Sequence, residues 1–74
     1  MKTIRKIKCV VESLPRKCGR GSQMFCIEAC YYDREGVEYL EECLTADGTL
    51  KVGDRCIMRT IKIIDNEFSV VERQ

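Results

Sequence analysis

At 74 residues the chain is one domain, near the lower limit at which a single apolar core holds itself folded, so pairing with a second copy would help. Hydrophobic residues at 45% and charged residues at 34% exclude a disordered tail, and no apolar run approaches the roughly 18 residues of a membrane helix. The formal charge of +1 is segregated: residues 1–24 carry seven Lys or Arg against one Glu, residues 25–54 two against eight acids, and residues 55–74 four against three. One end therefore has a positive field able to steer an anion, while the middle offers an acidic surface able to meet a neighbour's basic end.

Period-two alternation and β-branched residues dominate the chain. Residues 3–13 put Ile7, Cys9 and Val11 on one face and Lys6, Lys8 and Glu12 on the other. Pro15, Gly19, Gly21 and Ser22 mark a loop that carries Arg16, Lys17 and Arg20. Residues 23–33 alternate again, with Phe25, Ile27, Ala29 and Tyr31 set against Met24, Cys26, Glu28, Cys30 and Tyr32. A turn at 33–36 leads to a third strand over 37–45, where Leu40 and Leu44 face opposite to Tyr39 and Cys43. The spacing of Val37, Leu40 and Leu44 also fits a helix, which stands as the alternative for that segment. A second loop runs from Ala46 to Asp54, a fourth strand from Arg55 to Ile64, a turn over Asp65, Asn66 and Glu67, and a last strand from Phe68 to Glu72. Five short strands in one 74-residue domain point to an all-β, five-stranded antiparallel barrel, because closure removes exposed edges. The five-stranded oligonucleotide-binding barrel (OB-fold) fits best; SH3-like barrels use the same Gly-Asp turn into an alternating strand.

The chemistry offers little for catalysis. Histidine is absent, so the commonest general base is missing, and PRKCGRGSQ lacks the spacing and following helix of a phosphate-cradling loop. Six cysteines include no C-x-x-C pair, and Cys26 and Cys30 would lie about 13 Å apart along a strand, so neither a metal nor a cofactor is expected. The charges interrupting the first eight residues leave an apolar run of only Cys9 to Val11, too short for a secretory leader. A cytoplasmic chain with buried free thiols is expected. Cys18 lies among Arg16, Lys17 and Arg20, cations of the kind that lower a thiol pKa.

Binding is the better-supported chemistry. Cations neutralise phosphates and release counterions, and aromatic rings stack on bases. The candidate nucleic-acid-binding residues are Lys6, Lys8, Arg16, Lys17, Arg20, Tyr32 and Tyr39, with Phe68 a further ring. Because Tyr31 and Tyr32 alternate, only one of them points outward.

The segment CYYDREGVEY, residues 30–39, preceded by the basic glycine loop of residues 16–22, resembles the small single-stranded DNA-binding proteins of filamentous phages, the gene V protein type. Cys30, Tyr31, Asp33, Gly36, Glu38 and Tyr39 fall in that family's order with about one inserted residue. The resemblance implies a homodimer that coats single strands during phage or plasmid DNA replication. Arg16, Lys17 and Arg20 would contact phosphates, Tyr39 would sit near a base, Tyr31 in the interior and Cys30 on the exposed face of the second strand. The chain departs from the family where Gln23, Met24 and Phe25 replace an expected proline and tyrosine, where Ile61 or Ile63 stands for an exposed aromatic, and at the acids Glu41, Glu42 and Asp47. Two other readings remain open: an RNA-binding OB module, and a small protein-binding module, such as an inhibitor of a host factor, that uses its acidic strands.

Overall fold

The computed structural model describes residues 2–19, 21 and 23–74. The protein is all-β: β1 (Lys2–Val11), β2 (Arg16–Lys17), β3 (Phe25–Tyr32), β4 (Glu38–Thr45), β5 (Arg55–Ile63) and β6 (Asn66–Arg73). They form one six-stranded sheet in the order β1-β5-β6-β4-β3-β2, with a further pairing of β1 with β3. All pairs are antiparallel except β4 with β6, which run parallel and meet at Leu44 and Val70. Among the described residues no helix is long and apolar enough to cross a membrane.

Alternation sets which residues go inside. Cys9 and Val11 of β1, Ile27 and Ala29 of β3, Cys43 of β4, Cys56 and Met58 of β5 and Val71 of β6 form the buried cluster, completed by Leu50 from the loop between β4 and β5. Ile7 and Tyr31 pack on its margin. At the β1–β5 pair the register slips between Thr3 and Arg5, leaving Ile4 as an extra residue. Such a bulge bends a strand and re-aims the side chains beyond it, and Arg5 is the first of these.

The connections are built by short polar side chains. Asp33 Oδ1 accepts from the amides of Glu35 (2.8 Å) and Val37 (2.9 Å), and Gly36 supplies the positive φ of 83° that the turn into β4 requires. Those hydrogen bonds, led by the one from Val37, hold the Asp33 carboxyl below its usual pKa. In the 46–54 loop, Gly48 lies so close to the Phe25 ring that a Cβ there would come within 2.7 Å of Cζ. Phe25 is thus covered by this loop.

The third strand expected over 37–45 is present as β4, and the helical alternative falls because every residue from Glu38 to Thr45 pairs with β3. Two expectations from the sequence need correction. Arg16 and Lys17 lie in a short strand against Cys26 and Phe25 and not in a free loop. The last turn is tighter than expected: Ile63 pairs directly with Asn66, so the tip is Ile64 and Asp65, and Ile64 takes a φ of 55°.

Candidate nucleic-acid interface

The outward face of β1 and β5 carries four cations, Lys6, Lys8, Arg55 and Arg59. Lys6 and Lys8 project away from the core because Ile7 and Cys9 occupy the inward positions. In the register, Lys6 opposes Arg59, Lys8 opposes Ile57 and Val10 opposes Arg55. Arg55 and Arg59 therefore share the surface with the two lysines. Like charges directly across a ladder destabilise it, yet Lys6 faces Arg59, whose carboxylate neighbour Glu72 lies 3.9 Å away at the edge of ion-pair range. Among the described residues no carboxylate pairs with Lys6, Lys8 or Arg55.

Beside this face, β1 and β3 part company. Their ladder holds Val11 to Ala29 and Val10 to Cys30 and stops there. Continued, it would place Cys9 against Tyr31 and Lys8 against Tyr32. A cavity of about 280 Å³ opens instead, lined by Lys8, Cys9, Cys30, Tyr31, Tyr32 and Arg55, with Val10 and Gln74 completing its wall. Burial pushes the Cys9 thiol up to about 11, and burial together with the hydrogen bond to Glu38 also raises Cys30. Both sulfurs stay neutral at ordinary pH. Tyr32 is 63% exposed, and the charge of Glu38, its β3–β4 register partner, raises its phenol pKa.

The structure divides the residues singled out from the sequence. Lys6, Lys8 and Tyr32 fall within this region. Arg16 and Lys17 do not: Arg16 pairs with Cys26, six residues before Tyr32 on β3, about 20 Å at the strand rise. Arg16 is also held by Glu42 at 3.3 Å, and the Lys17 ammonium sits 5.9 Å above the Phe25 ring. Arg20 lies outside the described residues. The Cys18 thiol is pushed up to about 11, first by a hydrogen bond with Cys26 and then by desolvation, against the lowering expected from its basic neighbours.

Tyr39 belongs to a different assembly. Its ring stacks on Tyr31 with centroids 5.3 Å apart, and its hydroxyl donates to Asp33 at 3.2 Å. Arg5, turned by the bulge, lies 5.2 Å from the Tyr31 ring centroid. It donates to both oxygens of Glu41 at 3.0 Å, to the Tyr31 hydroxyl at 3.2 Å and to Thr60 at 3.1 Å. Ser69 donates to Glu41 at 2.5 Å. Burial pushes the Glu41 carboxyl up, but hydrogen bonds from Ser69 and Arg5 outweigh it and hold the pKa below the usual range. A second cavity of about 510 Å³ adjoins this network, whose donors and acceptors already satisfy one another. Cys30, implied by the resemblance to be exposed, is only 4% exposed, because β1 crosses beside it at Val10.

The outward face of the β3–β4 hairpin is acidic. Glu28 pairs with Glu42 and Tyr32 with Glu38, with Cys30 and Leu40 between them. Arg55 and Arg59 escaped the sequence reading, although a signal existed: RCIMR sets its two cations four residues apart, an even spacing that keeps both on one strand face as KIK does in β1, and antiparallel pairing of the two runs would bring the charges together. Among the described residues no cluster of His, Cys, Asp or Glu is placed to hold a metal ion.

No family model, curated protein or solved structure matches this chain. The likeness to the gene V type rests on the sequence alone: residues 30–39, the basic loop of residues 16–22 and the order of strands and loops read from them.

Proposed function

We propose that the protein binds single-stranded nucleic acid, DNA in the first instance, without sequence preference, on an OB-type five-stranded barrel. The pairing order supports the barrel: β1 neighbours β5 and β3, β5 neighbours β6, β6 runs parallel to β4, and β4 neighbours β3. Each long strand thus has two partners, the condition under which a sheet loses its edges. β2 is then an accessory flap on β3.

The observation that carries the function is the row of Lys6, Lys8, Arg55 and Arg59 on adjacent strands, with the exposed ring of Tyr32 at its margin. Cations gathered on one face, with only Arg59 near a carboxylate among the described residues, favour a polyanion, and the like-charged Lys6 and Arg59 gain most from one. Four neutralised phosphates give a salt slope of about −2.8 for a single strand. Raising salt from about 50 to about 200 mM should then weaken binding about fifty-fold. Fluorescence anisotropy of a labelled dT oligonucleotide at the two salts, with duplex DNA and an RNA oligonucleotide as competitors, tests this. Lys8→Ala and Arg55→Ala should each cut the slope by about 0.7, whereas Arg16→Ala should leave it unchanged. Absence of binding at the lower salt overturns the reading. A homodimer that coats strands during phage or plasmid DNA replication in the cytoplasm follows from the resemblance only.

A second reading, a protein-binding module, draws on the acidic β3–β4 face with its Glu28–Glu42 pair. It requires a partner lost on Glu28→Lys with Glu42→Lys and indifference to oligonucleotides.

A further inference from the structure

The cavity where β1 and β3 diverge has a composition the basic face alone does not call for, and resting on the nucleic-acid reading above we infer that it is a base pocket. It takes one unpaired nucleobase against the Tyr32 ring, while Lys8 and Arg55 hold the neighbouring phosphates. Its volume of about 280 Å³ lies just under the range of small-ligand pockets, where a single heterocycle fits better than a larger ligand. Its floor is the pair of thiols Cys9 and Cys30, both 4% exposed, an apolar surface suited to the flat side of a base. Its wall is the half-buried Tyr31 and the exposed Tyr32, and its β1–β5 rim is Lys8 and Arg55.

The backbone contributes as well. Beyond Val10 and Cys30 the β1–β3 ladder ends, so the two edges that face each other across the cavity present peptide groups to an entering ligand. Such edges donate and accept hydrogen bonds without regard to which base arrives, consistent with tolerance of sequence. Charge fixes the orientation. Glu38 stands opposite Tyr32 and repels phosphate from the β4 side, so the sugar-phosphate chain stays over the cations and the base turns inward.

Binding of a dT oligonucleotide and of an abasic oligonucleotide of equal length, compared by anisotropy at about 50 mM salt, separates this inference from the one beneath it. The base-bearing strand should bind about tenfold more tightly. Tyr32→Ala should abolish that difference without altering the salt slope, and Tyr32→Phe should preserve it. Tyr32 is largely exposed, so both variants keep the core. Photocrosslinking of a 5-iodouracil oligonucleotide should label the peptide that contains Tyr32. Equal affinity for both strands in the wild type overturns the pocket while leaving the nucleic-acid reading intact. A preference that survives in Tyr32→Ala also overturns it, placing the base contact elsewhere. Failure of both strands to bind removes the reading on which the pocket rests.

Discussion

Replacing Glu41 by Ala tests the polar network that ties four of the long strands together. The carboxylate on β4 accepts from Arg5 of β1, Tyr31 of β3 and Ser69 of β6. Removing one partner of a fully buried ion pair costs about 3–5 kcal/mol, whereas an exposed pair is worth about 0.2–1 kcal/mol. The Arg5 and Glu41 side chains are 36% and 31% exposed, and Arg5 keeps its bonds to Thr60 and Tyr31. An intermediate loss of about 2 kcal/mol follows. In urea, where a domain of this size has a slope near 1 kcal/mol per M, the midpoint should fall by about 2 M. Glu42→Ala is the control. Its pair with Arg16 is 59% and 63% exposed, so its removal should cost no more than about 0.5 kcal/mol. Equal and small losses for the two variants would refute the view that partial burial makes the Glu41 pair strong.

Lowering the pH should reproduce part of that loss: the Glu41, Asp33 and Asp47 carboxyls are all held below their usual pKa. Stability they contribute is complete above the unfolded carboxyl values near about 4 and disappears as pH falls through the folded ones. Urea midpoints should therefore hold steady from pH 7 to about 5 and drop below about 4, less steeply in Glu41→Gln. At the alkaline end, burial raises Cys9 to about 11 and Cys43 to about 12, so stability should decline as pH climbs past the unfolded thiol value of about 8.5. Gly48→Ala should cost about 1–3 kcal/mol in thermal or urea unfolding, since its Cβ would strike the Phe25 ring. Ile64→Asn should raise stability by about 1 kcal/mol in the same assay. Ile64 is 84% exposed at a φ of 55°, a conformation that a β-branched residue adopts at a cost and asparagine tolerates.

Alternation carried most of the fold. Ile7, Cys9 and Val11 against Lys6 and Lys8 read directly as the two faces of β1, and the inward set of β3 follows the same rule up to Ala29. What escaped depends on the third dimension. Two residues, Arg16 and Lys17, are too few for any period, so β2 has no local signature. Cys30 occupies an outward position by alternation and is buried because β1 passes over it, a contact between residues twenty apart in sequence. Turn chemistry favoured Asp65, Asn66 and Glu67 for the last bend, but the β5–β6 register sets the tip one residue earlier, on an isoleucine. At the site, Lys6, Lys8 and Tyr32 were legible as exposed groups. Their separation from Arg16 was not, because chain proximity of the glycine loop to β3 says nothing about which end of β3 it meets.

The parallel contact between β4 and β6 has a mechanical consequence. Every other long-strand junction is stitched by two or more register pairs, but this one is joined at Leu44 and Val70 alone. Side chains take over where the backbone does not: Ser69 reaches Glu41 across the gap, and Arg73 reaches from β6 to Asp47 just beyond β4 at 3.3 Å. The sheet thus has a seam fastened by charge rather than by ladder. Amides along it should exchange with solvent sooner than those of β1–β5, and acid should open it before it loosens the hairpins on either side.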